Sequence, residues 1–195
     1  MLNHYFSSVG KDLSQKLTNS LNSNTYNSSD VKSVKESIFF TPITENEILS
    51  YIKQLNTNKS VKSSCAPIKF LKISAEVIAP TLVTLFNKCM ENGVFPTSLK
   101  SAEIIPVFKK GDRRKLENWR PISQLSPFSK IFERHLHNIM TAFFKKHNLL
   151  YSYQYGFREN SSTEQAITQM VDEIASSMQM GNVVCSVFLD LKKSI

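Results

Sequence analysis

Two short apolar runs, separated by a cationic turn that contains a glycine, constrain this 195-residue chain more than any other feature. The first is Ala102-Glu103-Ile104-Ile105-Pro106-Val107-Phe108, and the second runs from Arg120 to Leu125. Lys109-Lys110-Gly111-Asp112 opens the turn between them. Short apolar runs bounded by turn residues read as strands, and two so close in sequence pair across the turn. Lys109, Lys110 and Arg120 then sit at or beside the turn of a hairpin. Near the C-terminus, Val183 to Leu189 is apolar without alternation, as a strand buried on both faces is, and ends at one carboxylate, Asp190. Cations on a stiff turn suit phosphates, with arginine supplying a bidentate geometry that lysine lacks. A carboxylate at a strand end suits a metal ion, and phosphoryl transfer needs both.

Around these runs the pattern is helical. Leu2, Tyr5, Phe6, Val9, Leu13 and Leu17 recur at helical spacing, so residues 2 to 18 read as an amphipathic helix. The stretch from Asn19 to Ser37, rich in serine and asparagine, reads as a linker. Thr44 and Glu47 form a capping box ahead of Ile48, Leu49, Ile52 and Leu55. After a polar loop from Asn58 to Ala66, Pro67 suits the first turn of a helix carrying Ile68, Leu71, Ala75 and Ile78. Its apolar stripe continues beyond Pro80 to Met90, and Gly93 stops it. These stripes read as core. Phe128, Ile131, Phe132, Leu136, Ile139, Met140, Phe143 and Phe144 form the strongest stripe, with Lys130, Arg134, Lys145 and Lys146 on the other face. An aromatic loop from Leu149 to Glu159 precedes a helix capped by Ser162 and Gln165. The expected class is therefore α/β, in the α+β sense: helices with a few strands.

Charge and cysteine content narrow the setting. Twenty-four Lys and Arg against 16 Asp and Glu give a net charge of +8, which favours a polyanionic partner. Cys65, Cys89 and Cys185 are far apart and form no Cys-x-x-Cys pair, so neither zinc nor a disulfide framework is indicated; reduced, mostly buried thiols are expected. His135 and His137, two apart on a helix, face different directions and do not share a metal. No signal peptide and no apolar stretch of membrane-spanning length are evident, so the expected location is intracellular, in nucleus or cytoplasm, with no membrane partner.

Four blocks, in order, carry a resemblance. Ile-Pro-Val-Phe-Lys-Lys-Gly-Asp at 105–112, Asn-Trp-Arg-Pro-Ile-Ser at 118–123, Gln154-Tyr155-Gly156-Phe157-Arg158 with Ser162-Thr163, and Phe188-Leu189-Asp190-Leu191 resemble the reverse transcriptases of non-LTR, LINE-type, jockey-like retrotransposons. The likeness reaches upstream through Asn92-Gly93-Val94-Phe95-Pro96 and the helix starts at Thr44 and Pro67. It implies a fragment of a right-hand polymerase: residues 1–40 as an amphipathic helix and linker, 41–93 as a helical N-terminal extension, and 94–195 as fingers and the first palm strand. It also implies an RNA-directed DNA polymerase, a nucleotidyltransferase with two-metal catalysis, whose partners are an RNA template, a DNA primer and dNTPs. Lys109, Lys110 and Arg120 would bind the triphosphate, Gln154, Gly156, Phe157 and Arg158 the template, and Asp190 a catalytic Mg²⁺, with Leu191 beside the nucleotide.

The sequence also departs from that family. Its usual Lys-Ser-x-Gly-x-Asp-Gly loop is here Lys59-Ser60-Val61-Lys62-Ser63-Ser64-Cys65. After Asp190-Leu191 the family continues Asp-Leu-x-Lys-Ala-Phe-Asp, whereas this chain reads Lys192-Lys193-Ser194-Ile195. The family's Tyr/Phe-x-Asp-Asp block lies beyond Ile195, so the chain alone is expected not to polymerise. The alternatives are a non-catalytic nucleic-acid-binding module derived from such an enzyme, or a non-functional gene remnant.

Overall fold

A computed structural model describes residues 2–18 and 34–189. They form seven α-helices, a short 3₁₀ helix (Leu116–Asn118) and one hairpin: α1 (Leu2–Thr18), α2 (Glu45–Gln54), α3 (Ile68–Ile73), α4 (Ala75–Glu91), α5 (Thr97–Lys100), β1 (Glu103–Phe108), β2 (Trp119–Gln124), α6 (Pro127–Lys146) and α7 (Thr163–Gln179). The chain divides into two units, Met1–Phe143 and Phe144–Ile195, with α6 passing through the boundary. The class is mixed helix with a small two-stranded sheet, as expected for α/β. Most of the linker from Asn19 to Ser37 lies outside the described residues.

The core of the first unit is built from the stripes the sequence displays. Ile43, Ile48 and Ile52 pack with Leu71, Ala75, Ala79, Leu82 and Phe86, and with Ile131 and Phe132 of α6. The Phe86 and Phe132 rings stack at 4.7 Å, 10° from parallel, and Phe95 lies 5.2 Å from Phe132. Burying each such ring contributes about 1.5–3 kcal/mol, and the stacked arrangement adds to that.

Polar side chains tie the chain entering α2 to this core. Asn87 brackets Ile43: its Oδ1 accepts from the Ile43 N–H at 2.8 Å, and its Nδ2 donates to the Ile43 carbonyl at 3.1 Å. The buried His135 donates from Nε2 to the Thr41 carbonyl at 3.0 Å. A carbonyl only accepts, so Nε2 carries a proton. The other ring nitrogen lies 3.9 Å from the Glu47 carboxylate. Burial pushes the Glu47 carboxyl up, but hydrogen bonds from Thr44 and the nearby His135 outweigh it and hold the group below its ordinary value.

Helix boundaries follow from local chemistry. Both predicted capping boxes form, Thr44 with Glu47 and Ser162 with Gln165. Gly93 closes α4 at φ 62°, its N–H reaching the Met90 carbonyl while Val94 N–H reaches Cys89. This is the Schellman pattern. Asn148 and Gly181 close α6 and α7 in the same way.

Three expectations need correction. The helix begun near Pro67 is not continuous but is interrupted at Ser74, while its continuation beyond Pro80 stands. The Ser74 hydroxyl and its backbone N–H both donate to the Phe70 carbonyl at 3.0 Å, so the last turn of α3 closes on Ser74 itself, whereas Pro80 is accommodated within α4. The thiols are unbridged but not mostly buried: Cys65 and Cys89 are half-buried and Cys185 is exposed. Val183 to Leu189 is not a buried strand; its residues are exposed, and the sheet among the described residues has only β1 and β2. An apolar, β-branched run becomes a strand only when another edge accepts its backbone hydrogen bonds.

Candidate nucleic-acid interface

The hairpin forms as its sequence requires. β1 and β2 pair antiparallel, Glu103 opposite Gln124 at the base and Phe108 opposite Trp119 near the tip. Lys109 N–H donates to the Asn118 carbonyl at 2.8 Å, extending the ladder by one pair. Alternation places Val107, its partner Arg120 and the diagonal neighbour Lys109 on one face. Ile105 and Ile122 continue that face as an exposed apolar floor. Lys110 lies past the paired positions, in the turn itself.

The turn is held by its own polar groups. Gly111 has φ 90°, and a Cβ there would stand 2.8 Å from Asn118 Nδ2. That amide donates to the Asp112 carbonyl at 2.8 Å, and Asp112 Oδ1 accepts from Arg114 N–H at 2.9 Å. Trp119 Nε1–H donates to the Arg113 carbonyl at 2.9 Å, while the Arg113 guanidinium lies over the Phe108 ring at 4.9 Å. Arg113 is thus occupied within the turn, while Lys109, Lys110 and Arg120 are exposed. Exposed cations on a braced turn can receive a polyphosphate with little further ordering.

At the base, an association not visible in the sequence ties the hairpin down. Glu103 accepts from the Ser63 N–H at 2.8 Å, Lys62 Nζ donates to Ser101 Oγ at 3.1 Å, and Gln124 donates to the Ser60 hydroxyl. Hydrogen bonds from the Ser63 backbone and side chain, with Lys62 nearby, hold the Glu103 carboxyl below its ordinary value. Serines in a polar loop carry no periodic signal, so only the fold reveals this contact.

In the second unit, Gln154, Gly156, Phe157 and Arg158 lie together in one loop. Gln154 Nε2 donates to the Gly156 carbonyl at 3.3 Å, and Arg158 Nη1 reaches the Tyr151 and Ser152 carbonyls at 3.4 and 3.5 Å. The left-handed conformation falls on Phe157, φ 59°, rather than on Gly156, and the Phe157 ring is fully exposed. Tyr151 and Tyr153 are exposed nearby with centroids 5.5 Å apart. The Glu173 charge and its hydrogen bond, with some burial, hold the Tyr153 hydroxyl above its ordinary value. Asp190 and Leu191 lie outside the described residues. Among the described residues no three His, Cys, Asp or Glu side chains cluster as metal ligands, and no helix is long and apolar enough to cross a membrane.

Comparison with curated proteins bears on what these two groups are for. Over 157 residues, 78% of the chain, it is 29% identical to the probable RNA-directed DNA polymerase from transposon BS of Drosophila melanogaster. The chain is similar to the polymerases of jockey-like, non-LTR mobile elements. The RNA-directed DNA polymerase from mobile element jockey of the same fly matches over 153 residues, again 78% of the chain, at 24% identity. The transposon TX1 uncharacterized 149 kDa protein of Xenopus laevis is 32% identical over 91 residues, 47% of the chain and 7% of that protein. The chain spans 17% of the length of the two fly relatives. No family model matches it.

Proposed function

We propose that this chain is the fingers portion, with the start of the palm, of an RNA-directed DNA polymerase that copies the RNA of a non-LTR element. The observation that carries this reading is the braced hairpin tip, with Arg120 and Lys109 on one face, in a chain similar over most of its length to such polymerases. Residues 1–40 are an amphipathic helix and linker, 41–93 a helical N-terminal extension and 94–195 the fingers and the start of the palm. Arg120 and Lys109, with Lys110 from the turn, hold the triphosphate of an incoming dNTP. The apolar floor of Ile105 and Ile122 lies on the same face for the less polar part of the nucleotide. Gln154, Gly156, Phe157 and Arg158 line the template, the exposed Phe157 ring offering a stacking surface. Asp190 would hold Mg²⁺, which would supply charge neutralisation on the phosphates, and Leu191 belongs with the nucleotide-binding residues. In the cell the protein acts intracellularly, on RNA template and DNA primer.

Primer extension tests the proposal. The chain prolonged with the corresponding downstream portion of a jockey-type polymerase, given Mg²⁺, dNTPs and primed RNA, is expected to incorporate nucleotides. Asp190→Ala should abolish incorporation and Arg120→Ala should cut it by about 10²-fold. Incorporation untouched by Asp190→Ala would overturn the assignment. A second reading, a binding module without catalysis, draws on the exposed Phe157 ring beside the Tyr151–Tyr153 pair. RNA binding lost in Phe157→Ala, with no incorporation by the prolonged chain, would favour it.

A further inference from the structure

The hairpin is a lever, and what grips its base decides where its tip points. Glu103 and Gln124 are partners at the base, and both are held by one short loop: Glu103 by the Ser63 N–H, Gln124 by the Ser60 hydroxyl. Lys62, between those two serines, donates to Ser101 just before β1. Three contacts thus bridge about 40 to 64 positions of sequence at one end of the sheet. Arg120 and Val107 stand four residues further out, about 13 Å along the strands at an ordinary strand rise. Angular slack of about 10° at the base would move a group at that distance by roughly 2 Å, and misplacements of about 1 Å already weaken oriented contacts strongly. A two-stranded hairpin is only marginally stable in isolation and does not supply that stiffness itself.

We propose that the Ser60–Ser63 loop is a strut that sets the direction of the hairpin's cationic tip, making Glu103 a positioning residue for phosphate binding by Lys109, Lys110 and Arg120. The phosphate part of this inference rests on the function proposed above; the strut itself does not. The carboxylate accepts from the strut's backbone, so an amide oxygen in its place still accepts, whereas a methyl group does not.

The test compares the parent chain with Glu103→Ala, Glu103→Gln and Gln124→Ala, the last breaking the other grip. Amide hydrogen exchange reads the strut, and titration with inorganic tripolyphosphate reads the tip. Glu103→Ala and Gln124→Ala are expected to speed exchange at Ser63 and along β1 and β2 by at least about threefold, with α4 exchange unchanged. Tripolyphosphate affinity should fall in step, and Glu103→Gln should restore most of both. Hairpin exchange unchanged in both alanine variants overturns the strut. Faster exchange with unaltered tripolyphosphate affinity overturns the positioning role. A parent chain that binds no tripolyphosphate instead overturns the phosphate reading, and the exchange data still decide the strut.

Discussion

Pro106 and Pro121 stand directly opposite each other in the β1–β2 ladder. Lys109 and Asn118 form a hydrogen-bonded pair, so by alternation Pro106 and Pro121 occupy a non-hydrogen-bonded pair, whose backbone nitrogens face the two outer edges. Each edge therefore lacks a donor at its middle, and neither accepts a further strand easily. The hairpin remains two-stranded, which a projecting element needs. Replacing both prolines by valine should restore both edges and raise self-association above the parent's. Sedimentation velocity over a concentration series checks this; a double variant that sediments like the parent would sink the idea.

Gly111 is the turn's conformational keystone. An alanine there faces both the φ of 90° and the Asn118 amide. Gly111→Ala should cost about 1–3 kcal/mol of local hairpin stability, read as faster amide exchange near Lys109. Substitution by alanine at Gly156, whose Cβ direction is open, should have much less effect. Equal effects at the two positions would refute the role given to the turn.

Asn87 satisfies both backbone groups of the buried Ile43. Asn87→Ala leaves a donor and an acceptor unpaired and should destabilise the first unit by about 1–3 kcal/mol. Asn87→Asp keeps the acceptor but loses the donor, and should also destabilise. Urea unfolding measures both, and a parent-like midpoint for Asn87→Ala would be contrary.

Glu47 makes the first unit acid-sensitive. Its folded carboxyl lies below its ordinary value, so its contribution is present above the unfolded value of about 4.3 and is lost as pH falls through the folded value. Glu47→Gln should therefore flatten the decline of stability from about pH 5 downward. Parallel stability curves for the two proteins would contradict this. Thr44→Ala removes the reciprocal cap and should cost about 1 kcal/mol.

The parts of this fold legible in the sequence are those fixed by neighbours in sequence. Thr44 with Glu47, Ser162 with Gln165 and the Gly93 stop are each decided within a few residues, and the core stripes of α2, α4 and α6 announce themselves by period. The hairpin was legible because turn chemistry separates two apolar runs. What escaped depends on distant partners. Val183 to Leu189 has strand composition, but composition supplies no edge to pair with. The Thr41 carbonyl that His135 meets lies far away in sequence, so nothing near His135 announces that contact. Of the candidate site residues, Lys109 and Arg120 could be set on one face from the hairpin reading alone. The internal bracing by Arg158 of its own loop could not, because Arg–phosphate and Arg–carbonyl contacts look identical as sequence.

The stacking of Phe132 on Phe86 and Phe95 has a consequence in time. Both aromatic partners of that ring precede it in the chain, and the buried hydrophobic cluster runs from Ile43 to Phe132. Translation adds about 5–20 residues per second, so the stretch from Phe144 to Val183 takes on the order of 2–8 s to synthesise. Contact-local helical cores close in microseconds to milliseconds. The first unit can therefore finish folding on the ribosome before Val183 to Leu189 has been made, and that apolar run never competes for a place in it.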